Sequence, residues 1–287
     1  MKVIRTVRAL RKHLSSVKGF VGFVPTMGCF HEGHCSLMRR AKKENACCVV
    51  SLFVNPIQFG PSEDLARYPR DLANDTRRAR TAGADILFVP DVAEIYPSGE
   101  PLTFIDLKGV TDGLCGVSRP GHFRGVATIV AKLLNIVQPH SMYLGQKDAQ
   151  QVVVIRKMVD DLNFPVKIIV CPTVREPDGL AMSSRNMYLS PSERAQATAL
   201  SKALKLAHSM VSAGESDATK IIIKIKKLIL DETSASIEYV SCVSTSDLRA
   251  VRRISGDVLI ALAVRFPSAR LIDNTVIKFS DDKKISR

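Results

Sequence analysis

The sequence predicts an α/β protein: a parallel sheet flanked by helices, followed by a smaller C-terminal α+β domain. Three observations carry that expectation. Between about residues 22 and 170, short apolar runs alternate with stretches of helical periodicity, and strand, helix, strand in succession implies a parallel sheet covered on both faces. After Ser190-Pro191-Ser192-Glu193 the order changes to two helices and then three strands. The chain has 287 residues, 46% of them hydrophobic, enough for one large domain or two of ordinary size.

Taken in order, the candidate strands of the first part are 19–24, 47–54, 85–89, 141–144 and 166–170. Between them, 65–82 places Leu65, Leu72 and Ala79 at sevenfold spacing, and 126–137 places Val126, Ile129, Val130, Leu133, Leu134 and Val137 at steps of three and four. Further helices should open near His31 and after Lys147-Asp148. In the second part, Ser190 or Ser192 caps a helix running to about residue 213, a basic helix covers 217–230, and 237–243, 258–264 and 271–277 read as strands. A boundary near residues 185–190 divides the chain into domains 1–186 and 187–287. The polar tail 280–287 should fray.

Composition narrows the function classes. Apolar runs such as 47–54 are far shorter than the roughly 20 residues that cross a bilayer, so no membrane span is expected. No apolar stretch follows the basic start, so no secretory signal is legible and a cytoplasmic location is expected. Seven scattered Cys, an odd number, suggest reduced thiols. Cys29, His31, His34 and Cys35 sit close together but lack a second Cys-x-x-Cys half, so no metal site is assigned. A formal charge of +13 favours polyanions: nucleic acid, a membrane surface or a phosphorylated substrate. The basic residues fall mostly in small groups at helical spacing, as on solvated faces, and with aromatics at 6% and no Trp there is no stacking platform for single strands. Neither nucleic acid nor membrane is expected as a partner.

Four polar clusters fall at strand ends or at the domain boundary. In Pro25-Thr26-Met27-Gly28-Cys29-Phe30-His31-Glu32-Gly33-His34, two imidazoles three apart stand where a helix should begin, and a helix N-terminus with nearby glycines suits a phosphate chain. Asn55 and Gln58 follow the second strand, neutral amides able to fix hydroxyls and carboxylates. In Gly145-Gln146-Lys147-Asp148, Lys147 suits a phosphate and Asp148 a ribose, or else Asp148 caps a helix beside a solvated lysine. Ser183, Ser184 and Arg185 in Gly179-Leu180-Ala181-Met182-Ser183-Ser184-Arg185-Asn186 offer donors for phosphate oxygens, or form an interdomain linker.

These segments, with Tyr68-Pro69-Arg70, Arg119-Pro120-Gly121-His122-Phe123-Arg124-Gly125-Val126, Gln150-Gln151 and Arg270-Leu271-Ile272-Asp273-Asn274, resemble in order the pantothenate synthetase (pantoate-β-alanine ligase) family. His-x-Gly-His alone marks the wider nucleotidyltransferase superfamily, which includes class I aminoacyl-tRNA synthetases. The resemblance implies a Rossmann-like N-terminal domain, a C-terminal lid domain, a homodimer, and ATP with Mg²⁺. It implies ligation of pantoate to β-alanine through a pantoyl adenylate, releasing AMP and pyrophosphate. By matching positions, His31, His34, Lys147 and Arg185 are the expected catalytic residues, His34 being the one usually named as proton donor. Met27, Gly28, Gly145, Asp148, Val174, Met182, Ser183 and Ser184 join them around ATP, while Gln58, Gln151 and Asn55 bind pantoate and β-alanine.

This chain departs from the family's usual pattern at Cys29-Phe30, where a smaller or aliphatic pair is more frequent, and at Gln146, where Glu is. One rival is another adenylate-forming enzyme on the same fold, which should lack the Gln58 and Gln151 pair. A second is a nucleic-acid binder using the net charge, whose binding should fall steeply with salt.

Overall fold

A computed structural model describes residues 1–61 and 63–278; the tail expected to fray over 280–287 lies outside the described residues. The chain runs β1 (Lys2–Ile4), α1 (Val7–Leu14), β2 (Val21–Thr26), α2 (Glu32–Glu44), β3 (Cys47–Leu52), α3 (Leu72–Thr81), β4 (Ile86–Phe88), α4 (Val92–Ile95), α5 (Cys115–Ser118), α6 (His122–Val137), β5 (Ser141–Gly145), α7 (Ala149–Asp161) and β6 (Lys167–Cys171). It continues through α8 (Pro191–Gln196), α9 (Ala199–Ser212), α10 (Ala218–Glu232), β7 (Ser236–Ser244), β8 (Val258–Arg265) and β9 (Arg270–Ile277).

The described residues form a six-stranded sheet, all parallel, in the order β1-β4-β3-β2-β5-β6. Along the central strands, side chains alternate between two buried faces. Phe23, Val49 and Phe88 join the core with α1, α6 and α7, whereas Val24, Val50 and Leu87 join that with α2 and α3. The chain builds outward from β2 through β3 to β4, then resumes on the other side of β2 with β5 and β6. That reversal opens a crevice beyond the carboxyl ends of β2 and β5, where open α/β sheets bind ligands.

The antiparallel sheet β7-β8-β9 buries two faces as well. Ile260, Leu262 and Val264 pack on α9 and α10, while Leu259, Ala261 and Val243 pack on Ala149 at the start of α7. The C-terminal sheet is thus sandwiched between its own helices and the first unit.

Three expectations need correction. The helix expected over 65–82 begins only at Leu72: Pro69 disfavours helical backbone at Tyr68, and Asp71 caps the new start by accepting from the Asn74 N–H at 3.0 Å. The helix expected from Ser190 to about 213 is two helices, broken where the Thr198 hydroxyl bonds the Ala195 carbonyl. Ser190 is its cap, in a reciprocal box with Glu193 behind Pro191. The first unit is expected to open with the strand at 19–24, but β1 and α1 precede it: three residues are too few to show a period, and α1 mixes basic residues among its apolar ones.

Candidate active site

β2 ends in a loop whose shape is set from below. Asp75 of α3, almost fully buried, accepts from the N–H groups of Cys29 (2.8 Å) and Phe30 (2.6 Å). Burial pushes its carboxyl above the ordinary range, opposed by those two donors. Gly28 has φ +89°, and a Cβ there would lie 2.9 Å from Asp75 Oδ2. Of the unusual pair Cys29-Phe30, Phe30 is buried in the α2 core and Cys29 is half-buried.

His31 is the N-cap of α2, and its Nδ1 accepts from the Gly33 N–H (3.2 Å), while His34 Nδ1 accepts from the His31 N–H (3.4 Å). With both Nδ1 atoms acting as acceptors, each neutral ring carries its proton on Nε2. Burial, then the Lys147 charge, lowers the His31 pKa to about 4; burial, then His31 and Lys147, holds His34 well below its ordinary value. The rings lie 4.1 Å apart, presenting two neutral donors.

Lys147 lies in the 3-10 turn Gln146–Asp148 that joins β5 to α7, with Nζ 3.5 Å from Asp148 Oδ1. Asp148 precedes α7 without a side-chain capping bond, which leaves its carboxylate to the cleft and not to the helix. The carbonyls of Gln146 and Lys147 accept from Asn274 Nδ2 (3.0 and 2.7 Å), and Gln146 Nε2 donates to Asn274 Oδ1 (3.1 Å).

On the opposite wall, Gln58 Nε2 contacts Met27 Sδ at 3.0 Å and its Oε1 accepts from Asn55 Nδ2 at 3.1 Å. Asn55 also donates to the Gly125 carbonyl and accepts from the Tyr96 hydroxyl. Its polar atoms are thus engaged by protein, which makes it a support for Gln58. Gly125 lets α6 approach: a Cβ there would lie 2.4 Å from the Ile57 carbonyl oxygen. His122 Nε2 lies 2.9 Å from Arg119 Nη1, which can only donate, so His122 Nδ1 carries the proton and donates to the Gln58 carbonyl at 2.9 Å. Burial, then Arg119, lowers the His122 pKa to about 4, in keeping with that neutral tautomer. Arg119 is itself forked onto Glu63.

The remaining wall is a hairpin with Val174 and Met182 paired through backbone (3.0 Å), turning at Gly179. It leads to Ser183, whose hydroxyl caps the 3-10 turn Ser184–Tyr188. Arg185 forks onto Asp64 through Nε (3.0 Å) and Nη2 (2.9 Å). A cavity of about 220 Å³ gathers Met27, His31, His34, Asn55, Gln58, Gly145, Lys147, Asp148, Gln151, Val174, Met182, Ser183, Ser184 and Arg185. Gly28 adjoins it in the β2 loop. A second cavity of about 420 Å³, between the C-terminal sheet and the helices and loops of the first unit, shares Arg119, His122, Lys147, Asp148, Gln151, Ser183 and Arg185 with it.

Sequence reasoning gave no role to Asp75, Arg119, His122 or Asn274. Each supports another residue through a bond distant in sequence, and membership of an ordered motif was the only signal for the last three.

The family described as pantoate-beta-alanine ligase matches residues 2–276. A pantothenate synthetase from Acetivibrio thermocellus is 54% identical over 281 residues, covering 97% of this chain and 100% of that one. One from Moorella thermoacetica is 49% identical over 284 residues, covering 98% and 100%. The crystal structure of pantothenate synthetase from Thermus thermophilus superposes with a TM-score of 0.91 at 44% identity, over 96% of this chain and 99% of that one. A Francisella tularensis pantoate-beta-alanine ligase, complexed with beta-gamma ATP and beta-alanine, gives 0.78 at 34% identity, over 96% and 97%.

Proposed function

This chain belongs to the pantoate-beta-alanine ligase family, and we propose that it ligates pantoate to β-alanine through a pantoyl adenylate formed in the 220 Å³ cavity. The observation that carries this reading is the mixed lining of that cavity. The neutral amides of Gln58, beyond β3, and Gln151, in the first turn of α7, line the same cavity as the donors of His31, His34 and Lys147. An acid held by amides and a triphosphate held by a cation and N–H donors could there meet in line.

In the first step a pantoate carboxylate oxygen attacks the α-phosphorus, the bond to the bridging oxygen breaks, and pyrophosphate leaves with its electrons. Little covalent work falls to the protein, so positioning and charge stabilisation dominate. His31, His34, Lys147 and Arg185 supply donors to the phosphates, with Ser183 and Ser184 as neutral ones, while Gly145 and Asp148 hold the ribose. Met27, Gly28, Val174 and Met182 bound the nucleotide. Gln58, supported by Asn55, and Gln151 hold pantoate. The β-alanine amine then attacks the acyl carbon, AMP leaves, and the amine gives up a proton.

Mg²⁺ fits this donor set as an ion arriving on the triphosphate. Glu63 and Asp64 are each tied to an arginine, and no group of three His, Cys, Asp or Glu able to hold a metal occurs among the described residues. The reading extends to a homodimer, checked by a solution mass twice the 31.5 kDa chain, and to a cytoplasmic location. Among the described residues no helix is long and apolar enough to cross a membrane. We divide the domains at 1–186 and 187–287: Tyr188 and Leu189 pack on the C-terminal core, into which the preceding hairpin also sends Leu180. Incubation with ATP, Mg²⁺, pantoate and β-alanine should yield AMP and pantothenate together, and omission of β-alanine should leave pantoate-dependent exchange of pyrophosphate into ATP. Absence of that exchange would rule out the adenylate.

A further inference from the structure

Two adjacent residues of β9 reach the two halves of the phosphate site. Asp273, almost fully buried, accepts from Arg175 Nη1 (2.7 Å) and Nη2 (3.0 Å), on the hairpin that leads to Ser183, Ser184 and Arg185. Asn274 points to the opposite face of the strand, as successive strand residues do, and is also buried. Its two N–H donors go to the carbonyls of Gln146 and Lys147 and its oxygen accepts from Gln146 Nε2.

Those two carbonyls belong to the peptide units on either side of the Lys147 Cα. Because peptide units are planar, holding both leaves little freedom in the direction that the lysine side chain leaves the backbone. The group doing so comes from the second sheet, 127 positions along the chain. Neither isostere can replace it: Asp lacks both donors and Leu lacks the acceptor as well.

We propose that Asn274 is a positioning residue for Lys147, so that the C-terminal domain serves adenylate formation without touching the nucleotide. Asp273, through Arg175, fixes the facing loop, and the two residues together set the width of the phosphate site. The inference rests on the reading of Lys147 as the phosphate-facing cation.

The test is a double-mutant cycle on the full chain, read as the rate of pantoate-dependent pyrophosphate release, with pantoate affinity measured by titration. Asn274→Ala should slow that rate about 10- to 100-fold, the scale of loss expected when a reacting group is misplaced by about an ångström. Pantoate affinity should change less than about twofold, and Asn274→Ala combined with Lys147→Ala should be no slower, within about threefold, than Lys147→Ala alone. Gln146→Ala, which removes only the bond to Asn274 Oδ1, should show a smaller loss with the same pattern and serves if Asn274→Ala does not fold. Losses that multiply, equal loss of pantoate affinity, or unchanged rates in both variants overturn the proposal. A Lys147→Ala variant with normal rate removes the underlying reading of Lys147 and this inference with it, whereas multiplying losses leave that reading standing.

Discussion

At the scale of single residues, the two imidazoles of the site are neutral donors held in place by backbone N–H groups. His31 and His34 use Nδ1 on backbone N–H groups, which turns each Nε2–H toward the cavity. Removing one donor aimed at transition-state charge costs about 10² to 10³ in rate, so Lys147→Ala and His34→Ala should fold normally and lose that much of adenylate formation. Near wild-type pyrophosphate release would take either off the list of catalytic residues. On the proposed reading, Gln151 serves the acid and not the nucleotide. Leaving a buried group unpartnered costs about 1 to 3 kcal/mol, so Gln151→Leu should weaken pantoate binding at least about tenfold with ATP binding little changed. Equal loss of both affinities in titrations would give Gln151 a structural role instead.

At the scale of elements, the glycine in the first turns of α6 ties a helix to a substrate side chain. A Cβ on Gly125 would lie 2.4 Å from the Ile57 carbonyl oxygen and 2.6 Å from the Gln58 Cα, both backbone atoms that cannot swing away. Overpacking of this kind costs about 1 to 3 kcal/mol, so Gly125→Ala should lower the thermal midpoint and weaken pantoate binding together. A variant as stable as the parent, with unchanged pantoate affinity, would show that α6 does not set the position of Gln58.

The elements also show what the sequence could and could not reveal. Strand ends carrying Pro25 to Gly28 or Gly145 to Asp148 are local patterns, and a continuous apolar run such as Cys47 to Val50 spans only a few residues. Both are legible without knowledge of neighbours. Sevenfold spacing from Leu65 hides the start of α3 after Pro69, and the break before α9 falls at Thr198, whose hydroxyl bonds the Ala195 carbonyl, without interrupting the apolar period. Asp75 bonds the backbone of Cys29 from 46 positions away, and Asn274 that of Lys147 from 127; such bonds leave no period in a sequence. Support for a site is therefore the part least legible from the chain alone.

At the scale of the whole molecule, burial of neutral imidazoles links the fold to acidity. His31 and His122 protonate near 4 when folded, against about 6.5 for an exposed imidazole. Between those values the unfolded chain binds more protons, so the stability they contribute is complete above about pH 6.5 and is lost as pH falls toward 4. Chemical denaturation at pH 7.5, 6, 5 and 4.5 should show a falling midpoint across that interval, apart from any change due to carboxylates at lower pH. An NMR titration in which both rings protonate near 6.5 would remove the two histidines as the cause.

The sandwiched C-terminal sheet has a thermal consequence. Leu259, Ala261 and Val243 meet Ala149 through apolar contact, so any cycle that parts the C-terminal sheet from α7 to admit ATP must wet that face and cover it again. Hydration of apolar surface carries a positive heat capacity. If opening limits turnover, the logarithm of the rate plotted against inverse temperature should curve, and replacing Leu259 by a smaller apolar residue should flatten it; a straight line in both chains would mean that wetting of that face does not limit turnover.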